Sequence, residues 1–185
     1  PETGQRLPPE KAVYTGIPIR ASLLNGDPTT GRRLCGFDVT DDRPCVLVMG
    51  GSQGAAVINQ AVRDALEALL ATFNVCHICG PGEALKFKAL NSVNFKAFSY
   101  VTDELPHLYA MADVVVARAG ATTLFELLAL RKPNLLIPLS LEASRGDQIQ
   151  NATSFADRGF SHVLAEADLT PATLVQCLQR AYAER

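Results

Sequence analysis

The chain has 185 residues and a mass of 19.8 kDa, with 48% of its residues hydrophobic and 19% charged. That is the composition of one or at most two globular domains and excludes a disordered segment. Seventeen Lys and Arg against nineteen Asp and Glu give a net charge of -2, which excludes a global attraction to nucleic acid or anionic lipid, so any bound anion must be held by a local site. A domain this large buries about 70% of its unfolded-chain surface and builds a core without metal or disulfide staples.

No apolar run approaches the roughly 20 residues needed to cross a bilayer. The opening PETGQRLPPEK has no n-region or h-region of a signal peptide. The chain starts with Pro1 instead of Met, which marks it as a piece of something longer. Its five cysteines, Cys35, Cys45, Cys76, Cys79 and Cys177, are an odd number and fit a reducing, cytoplasmic setting.

Residues 1–12 are Pro-rich and polar and read as a linker or irregular leading segment, with the domain proper over 13–185. Thr15-Gly16-Ile17-Pro18-Ile19-Arg20 then fixes a turn from which Arg20 projects. A guanidinium at a crevice edge suits a diphosphate, although a lone Arg is more simply solvated surface. Six short apolar runs follow: Cys45–Met49, Val75–Cys79, Asn94–Phe98, Val114–Ala117, Leu135–Leu139 and His162–Leu164. Between and after them lie stretches of helical period, Gln53–Thr72, Glu83–Leu90, Leu105–Met111, Thr122–Leu130, Asp147–Arg158 and Thr170–Ala183. Strand and helix alternating at this spacing predict an α/β fold, a doubly wound, Rossmann-like, mostly parallel six-stranded sheet covered on both faces. In such sheets the ligand sits outside the carboxyl ends of the strands.

The loops after the strands therefore carry the candidates. Gly50-Gly51-Ser52-Gln53-Gly54 leads from the first strand into a long helix. Glycines there admit a ligand to the backbone and to the free N–H groups of the helix, as a phosphate cradle does. The spacing is neither GxGxxG nor GxxxxGK[ST], and a plain turn that needs glycine for geometry fits equally well. After the fourth strand, Arg118-Ala119-Gly120-Ala121-Thr122-Thr123 opens a helix whose start also holds Leu124, Phe125 and Glu126. Thr122 or Thr123 is placed to cap it. The Glu126 carboxylate is placed either to take a ribose diol or merely to complement the helix dipole. Ser140–Gln148 is a long polar loop in which Asp147 reads as an N-cap and Gln148 offers both donor and acceptor to sugar hydroxyls.

Cys76-His77-Ile78-Cys79 is a weak metal candidate, because strand alternation turns the two thiols to opposite faces and no second CxxC exists. His107 and His162 lie in no nucleophilic constellation and read as structural or surface groups.

Gly50-Gly51-Ser52-Gln53-Gly54-Ala55 with Asn59, Ala112 through Thr123, Glu126, and Ser144-Arg145-Gly146-Asp147-Gln148 with Asn151-Ala152, in this order, resemble the MurG family of UDP-N-acetylglucosamine transferases. Those enzymes convert lipid I to lipid II in bacterial peptidoglycan synthesis. The resemblance covers about residues 13–184, and its SRGDQ loop is similar to that of low-GC Gram-positive members. One departure is Ile17, where many members carry Asn.

The resemblance implies the C-terminal, donor-binding half of a two-domain GT-B glycosyltransferase, with the acceptor loops and the candidate base in an N-terminal half. It implies that Arg20 and Ser52 face the diphosphate of UDP-GlcNAc within the Gly50, Gly51, Gln53, Gly54 cradle. Ala121, Thr122, Thr123, Leu124, Phe125 and Glu126 would form the phosphate and ribose turn, Gln148 would read the sugar, and Val101 would lie against uracil. The implied reaction is an inverting transfer with no cofactor beyond the donor substrate and no metal, in a chain that binds donor without catalysing by itself. Lipid I, membrane contact at the cytoplasmic face, and roles in cell-wall biogenesis, cell shape and division would come through the full-length enzyme. Another GT-B UDP-sugar enzyme, an epimerase or glycolipid synthase, and a non-catalytic nucleotide-sugar module are the rival readings.

Overall fold

A strand with both faces covered needs apolar side chains on both, so near-continuous apolar runs rather than alternation mark the interior of a parallel sheet. The computed structural model describes residues 8, 16–51, 55–87 and 92–184. In it Cys45–Met49 (β1), Asn74–Ile78 (β2), Phe95–Phe98 (β3), Val114–Ala117 (β4), Asn134–Leu136 (β5) and His162–Val163 (β6) form one six-stranded sheet in the order β3-β2-β1-β4-β5-β6. Every neighbouring pair is parallel. The order reverses between β1 and β4, which is where doubly wound sheets open a crevice.

Ala56–Leu70 (α2), Ala84–Phe87 (α3) and Pro171–Ala183 (α7) pack on one face, where Ile58, Val62, Leu69, Leu174 and Leu178 meet Val46, Val48, Val114 and Val116. Pro28–Cys35 (α1), Leu105–Met111 (α4), Ala121–Ala129 (α5) and Asp147–Ala156 (α6) supply the other, where Leu108, Tyr109, Leu124 and Leu127 meet Leu47, Val115 and Leu136. The same alternation sends Cys79 to the first face and Cys76 to the second, as strand geometry requires.

Several boundaries differ from the periodicity by a residue or more, each for a local reason. β2 begins at Asn74, whose Nδ2 donates to Asp41 Oδ2 at 3.1 Å and to the Arg43 carbonyl at 3.3 Å, so a polar residue anchors the strand's start. β5 ends at Leu136 instead of Leu139, because Pro138 has no N–H and the Leu139 N–H turns to a side chain. α2 begins at Ala56, and the expected residues Gln53 and Gly54 lie outside the described ones, as do Lys88–Leu90 of the second predicted helix and most of the 1–12 segment.

Residues 21–35 carry elements the apolar period does not reveal: a 3-10 turn over Ala21–Asn25 and the helix α1. Their signal is in the ends. Asp27 caps α1 by accepting the Thr30 N–H at 2.6 Å, Pro28 sits at the first position, and Gly36 closes it in the left-handed conformation at φ 73°. The face of α1 has little apolar surface, and backbone proximity takes its place. A Cβ on Gly31 would lie 2.3 Å from the His107 carbonyl oxygen of α4, and one on Gly26 would lie 2.0 Å from that of Pro106.

His77 is fully buried in β2, edge-on to Phe87 with ring centroids 5.0 Å apart. Burial, and then the positive charge of Arg63, pushes its pKa down from 6.5 to about 3. The folded chain therefore holds His77 neutral, while the unfolded chain protonates it below about 6.5. The stability this supplies is present in full above that value and falls as the pH drops toward 3. Unfolding free energy from urea titrations should drop by about 2 kcal/mol between pH 7 and 5, and His77→Leu should flatten that slope. A slope unchanged in the variant would assign the acid sensitivity to other groups. Gly31→Ala should lower stability by about 1–3 kcal/mol through overpacking, although alanine gains about 1 kcal/mol of helix propensity. A thermal melt at or above the wild-type midpoint would show that α1 can move off α4.

Candidate functional site

The two turns that leave β1 and β4 start side by side and part toward opposite faces, since α2 and α5 belong to different layers. Met49 ends β1, Gly50 is buried behind it, and Gly51 takes φ +94° with open space where a Cβ would stand. A side chain is strained at that φ, so the turn needs glycine at 51. The expected cradle residues Ser52, Gln53 and Gly54 lie outside the described residues.

At the head of α5 the cap position is Gly120, extended at φ -69° and ψ 139°, and no side chain caps the helix. The capping role expected of Thr122 or Thr123 is not taken, because both lie inside the first turn. The Leu124 N–H already bonds the Gly120 carbonyl at 3.0 Å. The N–H groups of Ala121, Thr122 and Thr123 have no acceptor within the helix and form its positive end. Leu124 has its side chain in the core at 1% exposure, so only its backbone could serve a ligand. Phe125 is half-buried and meets Phe155 edge-on at 6.1 Å.

The loop after β5 is tied to the sheet by side chains. The Arg118 guanidinium Nη1 donates to the carbonyls of Ile137 at 3.0 Å and Pro138 at 3.3 Å, and it pairs with Glu166 in the 3-10 turn Glu166–Asp168. The next residue, Leu139, donates its N–H to Gln148 Oε1 at 3.1 Å. One lone pair of the Gln148 oxygen thus holds the loop, and its second lone pair and its amide N–H pair are left for a ligand. Donation and acceptance toward a sugar, expected from the side chain's chemistry, both remain open to it. Ser144 Oγ donates to the Ser140 carbonyl at 3.1 Å and accepts the Gly146 N–H at 3.2 Å. Gly146, left-handed at φ 84°, occupies the cap position of α6. Asp147 is therefore not the cap; it is the first helical residue, exposed and complementing the dipole. Asn151 Nδ2 donates to the Ala119 carbonyl at 3.1 Å and fixes α6 against the β4–α5 turn.

These pieces enclose a cleft of about 520 Å³ whose lining includes Gly50, Gly51, Arg118, Thr123, Gln148 and Glu166. Arg20, Val101 and Glu126 lie outside that lining. Glu126 is buried at 6% exposure, with Oε2 accepting from Tyr109 Oη at 3.2 Å and Oε1 3.6 Å from the exposed Arg20 guanidinium. Tyr109 also comes within 3.4 Å of Met49 Sδ, and Met49 is in the cleft wall, so the carboxylate cluster and the cleft are neighbours. Val101 is half-buried against the second core cluster, in the loop between β3 and α4.

The sequence pattern singled out neither Tyr109 nor Glu166, and it gave Arg118 no role beyond its place in the turn. Tyr109 could have been found as a tyrosine on the buried side of a short amphipathic helix, where its hydroxyl needs a partner. Glu166 had no local signal, because its partner is 48 residues away in sequence. His107 accepts the Asp27 N–H at 3.0 Å and is structural, and His162 faces Glu184 at 3.5 Å. A second hollow of about 330 Å³ near the amino ends of β5 and β6 contains none of the expected site residues except Leu124.

Comparison with known proteins matches the chain as a whole to glycosyltransferases. The family model described as the glycosyltransferase family 28 C-terminal domain matches residues 45–185. The chain is 49% identical over 180 residues to the Clostridium kluyveri protein named UDP-N-acetylglucosamine--N-acetylmuramyl-(pentapeptide) pyrophosphoryl-undecaprenol N-acetylglucosamine transferase, covering 97% of this chain and 50% of that one. It is 50% identical over 182 residues to the Geobacillus kaustophilus protein of the same name, covering 98% and 50%. The chain thus spans about half the length of the curated relatives it matches. The crystal structure of Acinetobacter baumannii MurG superposes with a TM-score of 0.66 at 24% identity over 94% of this chain and 53% of that one, a likeness of fold.

The Gln148 contact is checked by amide exchange. Gln148→Ala should expose the Leu139 N–H to faster hydrogen exchange, with a local loss of about 0.5–1.5 kcal/mol, while Gln148→Glu retains an acceptor and most of the protection. Equal protection of Leu139 in wild type and Gln148→Ala would mean that other contacts hold the loop.

Proposed function

The chain belongs to the glycosyltransferase family 28 C-terminal domain family, and from that premise we propose that it is the donor-binding half of an enzyme that transfers N-acetylglucosamine from UDP-N-acetylglucosamine to lipid I, giving lipid II. The observation that carries this reading is the pairing of two small-residue turns, Gly50-Gly51 and Gly120-Ala121, at the reversal of strand order, with a cleft between them that Arg118, Thr123 and Gln148 help to line. The names of relatives close to half identical supply the sugar and the acceptor.

In this reading the N–H groups of Ala121, Thr122 and Thr123 and the Arg20 guanidinium receive the diphosphate. A helix N-terminus and an Arg are matched to anionic oxygens in charge and hydrogen-bond direction. The Glu126 carboxylate accepts from the ribose hydroxyls, Val101 backs the uracil, and Gln148 donates to a sugar hydroxyl. The acceptor hydroxyl attacks the anomeric carbon, its proton passes to a base in the other half of the enzyme, and the bond to the diphosphate oxygen breaks with its electron pair leaving on UDP. The work of this half is to stabilise charge growing on the β-phosphate with preorganised donors. No covalent intermediate is needed, and the reading calls for no cofactor beyond the donor substrate.

The lipid acceptor, the membrane's inner face and the roles in cell-wall biogenesis, cell shape and division enter through the whole enzyme. No helix among the described residues is long and apolar enough to cross a membrane.

Calorimetric titration of UDP, UMP, UDP-GlcNAc and UDP-glucose into the chain tests the proposal. UDP should bind more tightly than UMP, and UDP-GlcNAc more tightly than UDP-glucose. Glu126→Ala should weaken UDP by about ten- to a hundred-fold, the loss of a charged hydrogen bond of roughly 1.5–3 kcal/mol. Absence of UDP binding, or equal UDP affinity with and without the Glu126 carboxylate, would sink the corresponding assignment.

A further inference from the structure

Glu126 stands in the second turn of α5 with its side chain at 8% exposure, and an ionised carboxylate that deep requires hydrogen-bonded partners. Among the described residues, an uncharged donor that reaches it is the phenol of Tyr109, which is 0% exposed and sits on α4, a different helix. The phenol carries one proton and has two acceptors in range, Glu126 Oε2 at 3.2 Å and Met49 Sδ at 3.4 Å. A carboxylate is the far stronger acceptor, so the proton goes to Oε2. Burial, and then the charge of Glu126, pushes the Tyr109 pKa upward, which keeps it a donor. The rest of the ring lies among Leu108, Leu124 and other apolar side chains, where a phenylalanine would fill the same space.

The bond takes one oxygen and leaves the other. Oε1 is the oxygen that the exposed Arg20 approaches at 3.6 Å, so it faces the open side of the cluster. The terminal torsion of a Glu side chain is broad, with no sharp rotamer of its own. An external contact must set the plane of the carboxylate, and two hydroxyls on adjacent ring carbons demand that plane be fixed. We propose that Tyr109 is a positioning residue for ribose recognition: its hydroxyl holds Oε2 of Glu126 and thereby presents Oε1 to the ribose diol of the nucleotide. This rests on the reading of Glu126 as the ribose acceptor. α4 also follows the Val101 loop directly, so one buried side chain sets the ribose contact from the helix next in chain to the loop that carries the expected uracil contact.

A merely structural role would change all ligands alike, so the decisive readout is a ratio. Calorimetry with UDP and 2′-deoxy-UDP is run on wild type, Tyr109→Phe and Glu126→Ala, with thermal melts confirming that each variant is folded. Wild type should prefer UDP by about tenfold, in keeping with one charged hydrogen bond. Tyr109→Phe should shrink that preference about threefold or more through weaker UDP binding, with 2′-deoxy-UDP affinity held within about twofold, and Glu126→Ala should abolish it. If Tyr109→Phe kept the wild-type preference, or lost both ligands equally, while Glu126→Ala abolished the preference, Tyr109 would be packing only and the ribose assignment would stand. If wild type itself showed no preference, the Glu126 assignment would fall and the role of Tyr109 with it.

Discussion

Parallel pairing of β1 with β4 at the reversal of strand order is the constraint on which the rest of this molecule depends. Both strands are buried on both faces, so each must be followed by a helix that covers the sheet, and neighbouring strands of opposite winding send those helices to opposite sides. The turns after Met49 and Ala117 therefore begin in register and diverge. The space between them cannot be filled by either helix. It becomes a cleft lined by the glycines of both turns, by the head of α5 and by the side chains of Arg118, Gln148 and Glu166, so positive groups gather locally in a protein whose net charge of -2 offers none globally.

Polar side chains close the ends of the strands on both sides of the sheet. Arg118 is 9% exposed, yet its donors reach two carbonyls of the β5 exit and a carboxylate of the 3-10 turn, so its desolvation is offset by several bonds at once. Lys132 works in the same way at the other end of α5, where Nζ donates to the carbonyls of Ala110 at 3.2 Å and Ala112 at 2.7 Å and burial pushes its pKa down. Asn59 donates to the Cys79 carbonyl at 2.8 Å and seats α2 on the end of β2. These contacts join elements far apart in sequence, and each closes a backbone group that would otherwise be lost where the ladder ends.

The strands and most helices were legible because their signal is local: Val114–Ala117 and Leu105–Met111 coincide with their apolar runs. α1 was not, since it is held by backbone contact at Gly31 and by its caps instead of an apolar face. The expected site residues Gly50, Gly51, Thr123 and Gln148 do come to one cleft, while Glu126 and Arg20 form an adjoining cluster and Val101 lies in the core margin nearby. Cap assignments at Thr122, Thr123 and Asp147 failed for a common reason: glycine at 120 and at 146 already holds the boundary conformation, and a hydroxyl or carboxylate inside the first turn is no longer placed to close it.

By itself the sequence determined the class of fold, the parallel winding and the loops that carry the site, because hydrophobic period and small-residue turns act over a few residues and survive in any context. Only the tertiary structure decided how those side chains divide their bonds. One lone pair of the Gln148 oxygen belongs to Leu139, one oxygen of Glu126 belongs to Tyr109, and Arg118 is shared between β5 and Glu166. A polar side chain's capacity is written in its residue type, but which part of it remains for a ligand depends on partners that meet it only when distant segments pack.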